Sequence, residues 1–206
     1  MTPERLTRKQ RQAHTRECLM LSAARVAARR GLERASLDEV ASDAGFTKGA
    51  VYANFRSKED LFLAMLDEHF DARLADVDRV LASGDAPERQ ARQAAADFIQ
   101  ALEREPEWNR LFFEFALYAS RNEPFREEFV ARTRALRARI AALLERRVSE
   151  LGIDAPLPVD QIAAMTFAMP NGAGLQPLIE QDARTDELFP AMMVTFFAGL
   201  QAQTSA

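Results

Sequence analysis

Apolar residues recur at a helical period along almost the whole chain, and no segment sustains the strict alternation of a half-buried strand. That property confines the fold to the all-α class, with about nine helices. The first runs from about Arg11 to Arg30, with Leu19, Val26 and small alanines inward and Gly31 as its stop. Ser36-Leu37-Asp38-Glu39 has the form of a capping box, in which the hydroxyl accepts the amide three residues on and the Glu39 carboxylate reaches back. The short helix it opens ends at Gly45. Thr47 caps another short helix through about Ala53, and Ser57 caps a long one carrying Phe62, Leu66, His69, Phe70, Val77 and Leu81 on one face. Pro87 suits a new first turn, and Glu105-Pro106 separates the fifth helix from the sixth. Pro124 opens a seventh with Phe125, Phe129, Leu136, Ile140, Leu143, Leu144, Val148 and Leu151 inward. Two more follow near 159–180 and 186–202, and Pro170 to Gly174 is expected to kink or interrupt the first of them.

Composition narrows the chemistry. A chain of 206 residues, 48% hydrophobic, can bury a sizeable core. One cysteine, Cys18, excludes a disulfide framework, a thiol zinc cluster and a CxxC pair. No apolar run approaches the ~18 residues of a membrane span, and the first residues lack an apolar signal core, so the expectation is a soluble, cytoplasmic protein with no membrane partner. No H-x-x-x-H, G-x-S-x-G or phosphate loop occurs, and neither an enzyme nor a cofactor or metal is expected. The net charge of −4 argues at first against a polyanionic partner. Divided at residue 57, however, it becomes eleven basic against six acidic residues, then sixteen against twenty-five. Basic residues gathered at one end are the footprint of a phosphate-binding module.

The segment from Leu37 to Leu61, LDEVASDAGFTKGAVYANFRSKEDL, carries the most information. Two short helices joined by a glycine turn, with Ala41 four residues before Gly45, fit a helix-turn-helix. Val40, Ala44, Phe46 and Val51 face inward. Thr47, Lys48, Ala50 and Asn54 face outward, with Tyr52 at the edge, on a helix of a length suited to a major groove. Ser36, Val40, Ala41, Ala44, Gly45, Phe46, Thr47, Gly49, Val51, Tyr52, Asn54, Phe55, Ser57, Lys58, Glu59 and Leu61 follow in order the signature of TetR-family transcriptional regulators, which the chain resembles over about residues 12–62. Phe46 stands where an aliphatic residue is usual, and Asn54 where His or Tyr is common.

The resemblance implies a helix-turn-helix DNA-binding domain over 1–56 and an effector-binding and dimerisation domain over 57–206. By position, Ser36, Leu37, Thr47, Lys48, Gly49, Ala50, Tyr52, Asn54 and Lys58 should meet DNA, with Tyr52 and Lys58 on phosphate and Val51 and Phe55 in the core. Arg5, Arg8, Lys9, Arg11 and Arg16 form a basic leader that can neutralise phosphates or enter a minor groove. It also implies a homodimer on a palindromic operator, joined by the last two helices through Met165, Met169, Leu175, Met192, Phe196 and Phe197. Trp108 to Phe129 holds seven of the seventeen aromatics. Trp108, Phe112, Phe115, Tyr118, Phe129 and Phe167 are the candidate contacts for a small hydrophobic or aromatic ligand, with Asn109 and Glu114 as polar handles. The expected activity is repression relieved by that ligand; a constitutive or protein-gated regulator is the alternative.

Overall fold

The computed structural model describes residues 7–180 and 182–204. Arg5 lies outside them. The described residues form nine helices and no strand: α1 (Arg8–Arg30), α2 (Leu37–Ala44), α3 (Lys48–Tyr52), α4 (Lys58–Leu81), α5 (Pro87–Arg104), α6 (Pro106–Arg121), α7 (Glu123–Leu151), α8 (Val159–Ile179) and α9 (Thr185–Thr204). The order and number match the all-α expectation. α1 starts earlier than its apolar pattern indicates, because the Thr7 hydroxyl accepts from the Gln10 amide and the Gln10 side chain accepts from the Thr7 amide. Arg8, Lys9 and Arg11 therefore belong to a helix rather than to a tail.

Backbone contacts gather the chain into two compact units. One comprises residues through Glu68 together with Arg110–Phe129, and the other His69–Asn109 together with Val130 onward. The boundary read at 56/57 falls inside the first unit, and α4, α6 and α7 each contribute residues to both.

In the first unit, α1 packs on α2 and α2 on α3 around Leu19, Ala23, Val26, Val40, Val51 and Phe55. A second apolar group joins Phe62 to Phe115 at 5.8 Å between ring centroids, and Phe115 to Phe125 at 6.2 Å. Phe125 extends the chain of rings to Tyr118 and Phe129.

In the second unit α5 and α8 pack on α9, and Phe189 and Met193 of α9 meet Ala95 of α5 at the core. Two ion pairs, Asp71–Arg139 and Asp78–Arg146, join α4 to α7 seven residues apart on both helices, which sets the two running parallel at this register. The α4 terminus is closed by Gln90, whose amide donates to the carbonyls of Val80 and Leu81 and so satisfies two acceptors left over at a helix end. Leu151, read as inward, is exposed where α7 ends, since Gly152 turns the chain away at φ 62°.

α8 remains helical through Pro170, Asn171, Gly172, Ala173 and Gly174, so that stretch does not interrupt it. A proline removes one hydrogen bond, and side-chain contacts hold the turns on either side. The Asn109 amide donates to the Gly174 carbonyl at 2.7 Å. A Cβ on Gly174 would lie 2.6 Å from Asn109 Oδ1, whereas one on Gly172 would meet nothing within 4 Å. Gly174→Ala is therefore expected to lower the urea midpoint, and Gly172→Ala to leave or raise it. The separation should be about 1–3 kcal/mol, from overpacking against a helix-propensity gain of about 1 kcal/mol. Equal midpoints would show that this close approach carries no constraint.

Candidate nucleic-acid interface

The helix-turn-helix is built by local capping. The Ser36 hydroxyl accepts the Glu39 amide at 3.2 Å, satisfying one free donor of α2. The Glu39 carboxylate returns only as far as that hydroxyl, which donates to it, and also pairs with Arg30. Gly45 adopts φ 72°, a left-handed conformation that glycine takes without strain, and the chain then turns into α3. The Thr47 hydroxyl accepts the Ala50 amide.

These caps set Thr47, Lys48, Gly49 and Tyr52 on the outside together, while Val51 and Phe55 are buried. Tyr52 is 56% exposed, so packing does not hold it. Ala50 and Asn54 are half-buried, and the Asn54 amide donates to the Ala50 carbonyl at 2.8 Å. Leu37 is buried, which leaves its backbone rather than its side chain for any approach to DNA.

One carboxylate gathers the polar contacts between α2 and α1. Asp43 accepts from Arg25 at 2.6 Å and 3.0 Å, from Arg29 at 2.6 Å and from Ser22 at 2.8 Å. The Arg29 and Ser22 hydrogen bonds, then Arg25, hold its pKa down at about 2 against the opposing effect of burial. Neither this residue nor its three partners stood out in the sequence reading, because the spacing of apolar residues says nothing of which charges meet across helices.

Lys58 is engaged within the protein. Its ammonium donates to the carbonyls of Leu32 and Glu33 and lies 5.7 Å from the Tyr118 ring centre. The Tyr118 hydroxyl donates to Glu59 at 2.8 Å and accepts from Asn122, and burial with the Glu59 bond pushes its pKa up to about 12. Lys58 and Tyr118 are thus joined to the loop after α1 and the start of α4.

Trp108 stacks on His69 at 4.3 Å in the second unit, and burial pushes the imidazole down to about 3, so it is neutral at physiological pH. Phe112, Phe115, Tyr118 and Phe129 belong to the first unit. Phe115 has no exposed surface and packs as core, whereas Phe112 and Phe129 are half-buried, 6.1 Å apart. Asn109 is engaged by Gly174, and Glu114 pairs with Arg110. Phe167 is half-buried on α8. Of the residues read as a dimer contact, Met165, Leu175 and Met192 are exposed, and Leu178, Ile179 and Leu188 share that exposure. Met169 and Phe197 pack against the Ala95–Phe189–Met193 core, and Phe196 meets Phe197 edge to face.

Comparison with known proteins agrees with this architecture. Residues 19–65 match the description of bacterial regulatory proteins of the TetR family, and residues 87–202 that of the C-terminal part of BetI-type transcriptional repressors. A segment of 96 residues is 33% identical to the HTH-type transcriptional activator FasR of Mycolicibacterium smegmatis; it covers 47% of this chain and 44% of that protein. A transcriptional regulator from Rhodococcus sp. Rha1 superposes over 93% of this chain and 98% of its own, with TM-score 0.72 and 26% identity. Bacillus subtilis FadR, solved in complex with stearoyl-CoA, shares the fold at TM-score 0.74 and 13% identity, over 88% of this chain and 96% of that one. A glycine-turned helix-turn-helix near the start of the nine helices among the described residues, and a match to the family's C-terminal part over more than half the chain, make this protein a member of the TetR family of transcriptional regulators.

Proposed function

We propose that the protein is a ligand-responsive repressor that binds a palindromic operator as a homodimer and leaves it when a small hydrophobic effector binds. The observation that carries the DNA reading is the joint exposure of Thr47, Lys48, Gly49 and Tyr52 on a helix whose other side is anchored by Val51. Backbone amides at Ser36 and Leu37 and the side chains of α3 are the groups offered to phosphates and base edges. Ala50 and Asn54 lie at the margin of that face. Lys58 holds the Leu32 and Glu33 carbonyls with two of its three donors, which leaves the third for a phosphate.

A reader of this type needs a second copy one helical turn along the duplex. Exposed Met165, Leu175 and Met192, with Phe196 and the remaining surface of Met169 and Phe197, are the proposed partner face on α8 and α9. For the effector, the stearoyl-CoA held by Bacillus subtilis FadR, a protein of the same fold, supports a ligand with a long apolar part, and Phe112, Tyr118 and Phe129 are the proposed apolar contacts. A ligand releases DNA only by binding the released state more tightly than the bound one.

Lys48→Ala is the test. In a mobility shift with the duplex upstream of the protein's own gene, the variant is expected to bind roughly tenfold more weakly, the scale of one charge-assisted contact. An unchanged shift would remove Lys48 from the interface. In the same assay a long-chain acyl-CoA should weaken the wild-type shift; if it binds and the shift stays, effector-relieved repression is wrong.

A further inference from the structure

The exposed side of the helix-turn-helix carries an acid beside the cation of its reading helix. Asp38 is the second residue of α2 and Lys48 the first of α3, and Nζ donates to Oδ2 at 2.5 Å across the turn. Both side chains remain in solvent, 46% and 68% exposed. An exposed pair of this kind adds little to stability, too little to account for its placement. The cap of α2 comes from Ser36, and Glu39 already supplies an acid to its first turn. A carboxylate on a surface that meets a polyanion opposes binding. Other cations of the head are held on its own atoms: Arg25 and Arg29 on Asp43, Arg30 on Glu39, Arg16 on the Asn54 carbonyl. The Asp38–Lys48 pair differs from these because Lys48 is the sole cation of α3, so the reading helix meets DNA with its charge already matched.

We infer that Asp38 is a specificity-determining residue of the interface, one that orients Lys48 toward base edges and penalises contact by phosphates alone. The inference rests on the DNA-binding reading above. An ammonium has three donors. With one held by Asp38, two are left to reach acceptors such as guanine O6 and N7 while the pair stays intact. A non-cognate duplex is held through its phosphates. There the Asp38 charge is opposed in full, or Lys48 must give it up. The cost falls on the wrong partner more than on the right one, which is how repulsion produces specificity.

The experiment titrates wild type, Asp38→Asn and Asp38→Ser against the upstream duplex and a scrambled duplex of equal length, at several salt concentrations. Both variants are expected to bind the scrambled duplex about three- to tenfold more tightly and the upstream duplex with a smaller change, so the preference falls. The salt slope on scrambled DNA should steepen by about one released ion. In a Lys48→Met background most of the Asp38→Asn effect should disappear. A preference that both variants leave intact overturns the inference, as does an Asp38→Asn effect that persists whole without Lys48. Should the wild type show no preference at any salt, the DNA-recognition reading itself fails and this inference with it. Agreement between the Asn and Ser variants, with matching helical signal, excludes misfolding as the cause.

Discussion

Phe115→Ala is expected to destabilise the folded protein by about 3–5 kcal/mol, the range for truncating a buried aromatic that leaves a cavity behind. Phe115 is 0% exposed and lies between Phe62 of α4 and Phe125 of α7. Both neighbours are buried, and Phe125 packs in turn against Tyr118 and Phe129, so the surroundings have little freedom to collapse into the gap. With total stabilities of about 5–15 kcal/mol for folded domains, such a loss takes a large share. Leu117, on the same helix but 53% exposed, is the internal control: its truncation should change stability by less than about 0.5 kcal/mol. Urea midpoints at one fixed protein concentration read both, since association makes the midpoint concentration-dependent. A Phe115→Ala loss below 1 kcal/mol would show that the ring lines space open to a ligand rather than packed core.

That residue illustrates what the sequence could and could not convey. Helix ends were legible because their signals are local. Ser36 caps onto Glu39, Thr47 onto Ala50 and Ser57 onto Asp60, each three residues on, and Gly31 and Gly45 take the positive φ their positions imply. The Thr7–Gln10 capping box has the same local form, placed ahead of the first apolar residues of α1. Val51 and Phe55 were placed in the core correctly, because the period of a short helix leaves them one face.

Partners distant in sequence were not legible. Lys58 meets carbonyls 25 and 26 residues earlier, and Tyr118 meets Glu59 across 59 residues. A motif position can mark Lys58 as a cation near DNA, yet that two of its donors go to carbonyls depends on the loop after α1. Likewise the helical spacing of the aromatics from Trp108 to Phe129 does not say that Trp108 meets His69 or that Phe115 meets Phe62. Phe189, at the centre of the α5–α9 core, went unnamed because its neighbours in sequence, Leu188 and Met192, carry the same apolar signal and remain exposed.

Asp43→Asn is expected to lower stability by about 2–3 kcal/mol at neutral pH and to weaken operator binding beyond what partial unfolding explains. Four donor contacts from Ser22, Arg25 and Arg29 converge on this carboxylate. Hydrogen bonds to a charged group contribute about 1.5–3 kcal/mol, and an amide of the same shape turns a donor toward cations that need an acceptor. Ser22 retains the Val40 carbonyl at 3.0 Å, so α2 stays attached to α1 but loses the contact that sets its angle. Because the loss involves one charge, acid should erase it. The folded pKa, about 2, lies below the ordinary 3.8. The carboxylate therefore stabilises the fold fully above pH 3.8 and progressively less as pH falls through 2. With 18% of the side chain exposed, screening limits this pH-linked part to about 1–2 kcal/mol. Urea midpoints of the two proteins, compared between pH 5 and pH 2, should converge as pH falls. A gap that stays constant across that window would mean that Asp43 acts by shape alone, and that the α1–α2 angle is set by packing around Val26 and Val40 rather than by its charge.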